Sequence, residues 1–103
     1  MGVKMHFLVT AYDGTDEQAP SRRLAAREYH LAFIEQLKRK GRVLYGAALL
    51  DEQGAMTGSI VLYDFDSRKE LDEYLKTEPY VVGGVWQLID VKPCRVPPIF
   101  LNG

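Results

Sequence analysis

The chain is poor in the residues on which thiol and metal chemistry depend. Its 103 residues include one cysteine, Cys94, and two histidines, His6 and His30. A single cysteine excludes an intramolecular disulfide and fits a reducing compartment. The histidines lack HxxxH spacing and no CxxC pair occurs, so no metal is expected. There is no GxGxxG or phosphate-binding loop, since Gly83–Gly84 stands alone, and no cofactor is expected either. Neither sign of charge is in excess: 13 Lys and Arg oppose 14 Asp and Glu, for a net charge of −1. That balance gives no electrostatic ground for nucleic acid or an anionic membrane as a partner. No apolar run approaches membrane-spanning length, no leader precedes a cleavage site, and His6 breaks the myristoylation pattern that Gly2 would open. A soluble, cytoplasmic protein is expected.

What is present is an ordinary globular composition, 47% hydrophobic and 26% charged, of a length for one domain with one core. Residues 1–103 read as that domain, with a core of about 5–93 and an apolar tail of 94–103. Met5 to Tyr12 is rich in strand formers and ends at the Asp13–Gly14 turn signal. A polar loop leads to a helix from about Pro20 to Lys40, with Ser21 or a neighbour as its cap. Basic Lys38, Arg39, Lys40 and Arg42 suit the negative pole of that helix, and Gly41 ends it. Arg42–Leu50 and Met56–Phe65, joined by Asp51–Glu52–Gln53–Gly54, read as a hairpin. Asp66–Ser67 caps a second helix, Arg68–Lys76, with Leu71, Tyr74 and Leu75 inward. Val81–Gly84 is a connection, and Val85–Val91 is the last strand before a tail punctuated by Pro93, Pro97 and Pro98.

The order β-α-β-β-α-β is the split βαβ arrangement of ferredoxin-like α+β folds: a four-stranded antiparallel sheet with both helices on one face. The hairpin strands are apolar on both sides, whereas a sheet with one wet face would alternate. Two apolar faces, with helices for only one of them, imply a homodimer through the other. Tyr45, Val61, Tyr63 and the tail from Ile99 to Leu101 are expected at that interface. The alternative is a sheet covered by its own tail.

The first helix carries the chemistry. At about 100° per residue, Ala26, Phe33, Leu37, Ile34, Leu31 and Leu24 share one side, with Glu28, Glu35, Gln36, Arg39 and Lys40 opposite. His30 falls between Leu37 and Ile34, and Arg27 between Ile34 and Leu31. An imidazole and a guanidinium inside an apolar arc cost free energy unless partnered, so the arc holds either a buried polar network or the wall of a pocket. Leu24, Leu31, Ile34 and Leu37 are expected to be buried. Gly58–Ser59 and Gly46, small residues in paired strands, leave room for a small molecule, while Ser59 and Cys94 lack the motif of a nucleophile. Glu78, in a Glu–Pro–Tyr turn after the second helix, can reach the first helix and pair with His30 for proton transfer. Arg27 lies one turn before His30, placed to hold an anion; Arg22 or Arg23 can add charge at a pocket mouth.

Arg27–Glu28–Tyr29–His30–Leu31, Lys40–Gly41–Arg42, Gly46–Ala47–Ala48–Leu49 followed by Asp51, Gly58–Ser59 and Glu78–Pro79–Tyr80 together resemble the YCII-related (YciI-like) family, from about Met5 to Pro93. The resemblance implies a dimeric α/β barrel of ferredoxin-like subunits, with a pocket whose histidine and aspartate form a proposed catalytic pair. His30 matches the histidine. Glu78 stands where the family has the aspartate of an Asp–Pro–Phe/Tyr turn, and Lys92–Pro93–Cys94 departs from a pattern in which tryptophan commonly follows the proline. Some relatives are dehydrochlorinases of chlorinated hydroxyquinol-type aromatics, and fold relatives include muconolactone isomerases.

The expected function is a small metal-independent enzyme, lyase- or isomerase-like, moving a proton or eliminating a leaving group on a small anionic or phenolic compound. His30 and Glu78 would be catalytic, and Arg27, Ser59 and Tyr80 would bind substrate. A noncatalytic ligand-binding or regulatory dimeric module is the alternative reading of the same pocket. A polar cluster that merely ties the first helix to the Glu78 turn is a third.

Overall fold

The computed structural model describes residues 5–101. Its elements are β1 (His6–Asp13), α1 (Ala19–Arg39), β2 (Val43–Leu50), β3 (Met56–Tyr63), α2 (Arg68–Leu75), α3 (Pro79–Val82) and β4 (Trp86–Cys94), followed by a 3₁₀ turn at Pro98–Phe100. The four strands form one antiparallel sheet in the order β2-β3-β1-β4. This is the expected ferredoxin-like α+β architecture, with α3 added where an irregular connection was anticipated. Glu78 caps α3 and Pro79 begins it, which suits a first-turn position that needs no N–H. The last strand runs on through Pro93 to Cys94. Proline is compatible with that place because β4 is an edge strand of the sheet among the described residues.

Pairing register decides which side chains share a face. Phe7, Val9 and Ala11 of β1 lie opposite Tyr63, Val61 and Ser59 of β3, and all are buried beneath the helices. With Leu71, Leu75, Tyr80, Val85 and Trp86 they form the core. Val61 and Tyr63 are therefore not at an interface as expected. A period of two places alternate residues on opposite faces, and theirs is the helix face. The open face carries Leu8, Tyr12, Tyr45, Ile60, Leu62 and Leu88 instead; Tyr45 is 60% exposed and Leu88 69%. Ile99, Phe100 and Leu101 are also exposed.

Gly41, at φ 75°, turns the chain out of α1 as anticipated, but the helix starts without a side-chain cap; Gln18 rather than Ser21 occupies the cap position. The rotation of α1 also differs from expectation. Ala19, Arg23 and His30 are buried, with Ala26, Ile34 and Leu37 packed against the core. Leu24 (72% exposed) and Leu31 (46%) are not buried. They lie about 100–120° around the helix from His30, so a helix seated on the His30 arc carries them on its flank. Spacing gives relative positions on a helix, whereas the packing partners choose which arc faces inward. Fully buried Leu71 should accordingly lose about 2–5 kcal/mol on truncation to Ala. Leu24→Ala should stay within about 0.5 kcal/mol of wild type in the same urea titration.

Candidate active site

His30 sits at the centre of the inward arc of α1 and meets the N-terminus of α3. Its Nδ1 lies 2.6 Å from Glu78 Oε1. The Glu78 carboxylate is fully buried and collects two further donors: the Tyr80 backbone N–H to Oε1 at 3.0 Å and the Tyr74 hydroxyl to Oε2 at 2.5 Å. Each contact to a charged acceptor is a strong hydrogen bond, and together they offset the cost of burying the carboxylate. Burial, with Tyr63 and Glu78 nearby, pushes the Tyr74 phenol far up, so it remains a protonated donor. Because Glu78 occupies Nδ1, the protein presents the imidazole through Nε2. That atom has no hydrogen bond with a described residue, and it is not fully enclosed by protein. It opens on the cavity that His30 lines.

That cavity, of about 430 Å³, lies between α1 and the β2–β3 half of the sheet. Its floor is hollow because Gly46 and Ala48 of β2 pair with Val61 and Ser59 of β3 on the helix face, where they contribute almost no side-chain volume. Leu31 and Ile34 form its apolar wall, which accounts for an exposed leucine beside a core helix.

The rings around His30 fix its plane. Tyr80 stacks on it at 3.9 Å between centroids with 8° between planes, and Trp86 meets it edge-on at 5.7 Å. On Tyr80 lies the Arg23 guanidinium, 4.9 Å from the ring centroid. Burial raises the Tyr80 phenol above its ordinary value, Arg23 and Arg27 opposing the shift. Its hydroxyl has no hydrogen bond with a described residue and, like His30 Nε2, retains access to the cavity.

Arg23 is itself buried, its Nη1 donating to both oxygens of Asp13 at 2.9 and 3.0 Å and its Nη2 to Ser59 Oγ at 3.1 Å. Trp86 Nε1 donates to the same Oγ at 3.2 Å. With two obligatory donors on its lone pairs, Ser59 has its own O–H left to offer to a ligand, and no base stands by to make it a nucleophile.

Of the residues expected to form the site, the fold brings together His30, Glu78, Tyr80 and Ser59, with Arg27 on the cavity wall. Arg27 is exposed and makes no hydrogen bond or ion pair among the described residues. Arg22 is clasped outside by Asp16, at 2.7 and 3.0 Å. The Arg22 hydrogen bonds lower the exposed Asp16 carboxyl to about 2. The clasp is therefore fully formed above the ordinary carboxylate range and is lost as pH falls through about 2. Sequence reasoning missed Asp13, Tyr74 and Trp86. Asp13 read as a turn residue, and only the partner across the fold distinguishes it. Buried Arg23 was left undivided from Arg22, although its position about one turn from Arg27 and two from His30 carried the signal. Among the described residues, no cluster of three or more His, Cys, Asp or Glu side chains has a metal-site arrangement, and no helix is long and apolar enough to cross a membrane.

Fold and site together define a ferredoxin-like α+β protein with a histidine–carboxylate pair set beside a cavity. The chain belongs to the YCII-related family, whose domain model matches residues 5–95. It is 32% identical over 97 residues to Protein YciI of Escherichia coli O6:H1, covering 88% of this chain and 97% of that one. An uncharacterized protein of Haemophilus influenzae is 33% identical over the same coverage. Among solved structures it resembles 5-chloro-2-hydroxyhydroquinone dehydrochlorinase (TftG) of Burkholderia phenoliruptrix AC1100, crystallised with 2,5-dihydroxybenzoquinone. The TM-score is 0.76 with 21% identity, covering 91% of this chain and 97% of TftG. An antibiotic biosynthesis monooxygenase shares the fold more distantly, at TM-score 0.52 and 12% identity.

Proposed function

We propose that this protein is a small acid–base enzyme acting on an anionic or phenolic compound bound in the cavity beside His30. The observation that carries the reading is the His30 Nδ1–Glu78 Oε1 contact of 2.6 Å with Nε2 facing the cavity. A carboxylate on Nδ1 holds the proton there and leaves Nε2 as the base. Nε2 would take a proton from a substrate hydroxyl or enol. Glu78 would steady the resulting imidazolium, and Arg27 and the Ser59 O–H would stabilise the oxyanion. Returned to a ring carbon, the same proton completes an isomerisation. When that carbon bears a leaving group, departure of the group with its bonding pair and loss of a second hydroxyl proton complete an elimination.

The fold resemblance to TftG makes its ligands the first probes. With 5-chloro-2-hydroxyhydroquinone, turnover would be read as chloride release; with 2,5-dihydroxybenzoquinone, binding would be read by NMR. We expect shifts confined to His30, Arg27, Ser59 and Tyr80. Binding of the quinone without turnover of this or other phenolic and enolic probes would favour the ligand-binding module. Absence of both would leave the polar cluster a structural tie.

The open sheet face is, in the same reading, the interface of a homodimer centred on Tyr45, Ile60 and Leu62. A stable interface buries on the order of 1,600 Å² in total. Light scattering at micromolar concentration should return twice the chain mass of 11.7 kDa, and a stable monomer would refute the interface.

A further inference from the structure

The cavity is larger than a single phenolic ring needs, and its charge is unbalanced. A dry cavity of about 150 Å³ holds one benzene molecule, whereas this one has about 430 Å³. Among the described residues three permanent cations line it, Arg23, Arg27 and Lys38, and no carboxylate does. Arg23 is neutralised by Asp13. Arg27 and Lys38 have no ion partner among the described residues. The carboxylate nearest Lys38 along the helix, Glu35, is engaged by Arg39 at 2.7 Å.

The two free cations end a stripe on α1. Arg27, Leu31, Ile34 and Lys38, at intervals of four, three and four residues, fall within one narrow arc and all line the cavity. This arc adjoins the buried one centred on His30. Arg27 and Lys38 are about 16 Å apart along the axis, and the wall between them is apolar. Side chains lean toward the N-terminus of their helix, the direction in which the cavity lies from Lys38.

We infer that the ligand is an acidic amphiphile: a phenolic or enolic head at His30 and Arg27, an apolar body along Leu31 and Ile34 above Gly46 and Ala48, and a distal carboxylate at Lys38. This rests on the proposed acid–base site for the head alone; the distal contact stands on the charge and shape of the far end.

The test compares 8-(4-hydroxyphenyl)octanoate, its methyl ester, decanoate and phenol, titrated by calorimetry into wild type, Lys38→Met and Arg27→Met. In wild type the hydroxyphenyl acid should bind about tenfold tighter than its ester. Lys38→Met should reduce that ratio to within about twofold while leaving phenol binding unchanged. Arg27→Met should weaken phenol and both phenolic probes alike, preserving the acid-to-ester ratio. Decanoate separates the two claims. If it binds in a Lys38-dependent way and the phenolic head adds nothing, the head reading fails while the distal carboxylate site stands. Equal binding of acid and ester in wild type, an unchanged ratio in Lys38→Met, or no binding of any acid would overturn the inference.

Discussion

Replacing His30 with alanine is expected to remove turnover of whichever probe the protein consumes, by about a hundredfold to ten-thousandfold, the range of a general acid–base catalyst. The loss should fall on kcat rather than on probe affinity, because Arg27, Ser59 and Tyr80 would still line the cavity. Removing one member of this buried pair should also cost about 3–5 kcal/mol of stability, so turnover is compared at a temperature where circular dichroism shows the variant folded. The variant does leave one Glu78 oxygen without its partner at 2.6 Å, but Oε1 keeps the Tyr80 N–H and Oε2 keeps the Tyr74 hydroxyl. Unchanged turnover in a folded His30→Ala protein would end the acid–base reading.

The second large effect is on stability. Glu78→Ala should cost about 3–5 kcal/mol, as removal of one member of a buried pair does, and should lower Tm by roughly 15 °C or more for a chain of this size. Three donors lose their acceptor at once: His30 Nδ1, the Tyr74 hydroxyl and the Tyr80 N–H that opens α3. Glu78→Gln should cost markedly less. Its amide oxygen still accepts from Tyr80 and His30, and its amide nitrogen can donate to the Tyr74 hydroxyl oxygen. It should reduce turnover less than His30→Ala does, because Nε2 stays in place while the imidazolium loses its countercharge. Thermal melts of the three proteins should order wild type above Glu78→Gln above Glu78→Ala. An unchanged melt for Glu78→Ala would show that the carboxylate satisfies no one.

Both effects concern a pair 48 residues apart in sequence, joined at 2.6 Å. The pairing was legible because each partner carried a local oddity. His30 was an imidazole within an apolar helical arc, and Glu78 stood directly before a proline in a turn that could reach α1. Arg27 was legible for the same reason, as a charge inside that arc, and it lines the cavity wall. Asp13 and Trp86 carried no such oddity. An aspartate before glycine looks like any turn residue, and a tryptophan at a strand start looks like core. Their roles come only from Arg23 and Ser59, which arrive from another helix and another strand.

The sequence by itself determined the order of the four strands and two longer helices, though not the short α3, because hydrophobic period, turn residues and the Gly41 stop are local properties that the chain carries into any environment. It also determined that His30 and Glu78 share one side of one layer. Tertiary structure alone decided three things. It set the rotation of α1, turning Leu24 and Leu31 outward and seating His30 inward, because the sheet and α3 select the arc that packs. It assigned Val61 and Tyr63 to the helix face, because strand parity is relative until a partner strand sets it. And it opened the cavity, because the space above Gly46 and Ala48 exists only when β2 lies beside β3 and a helix spans the gap at the height its larger neighbours impose.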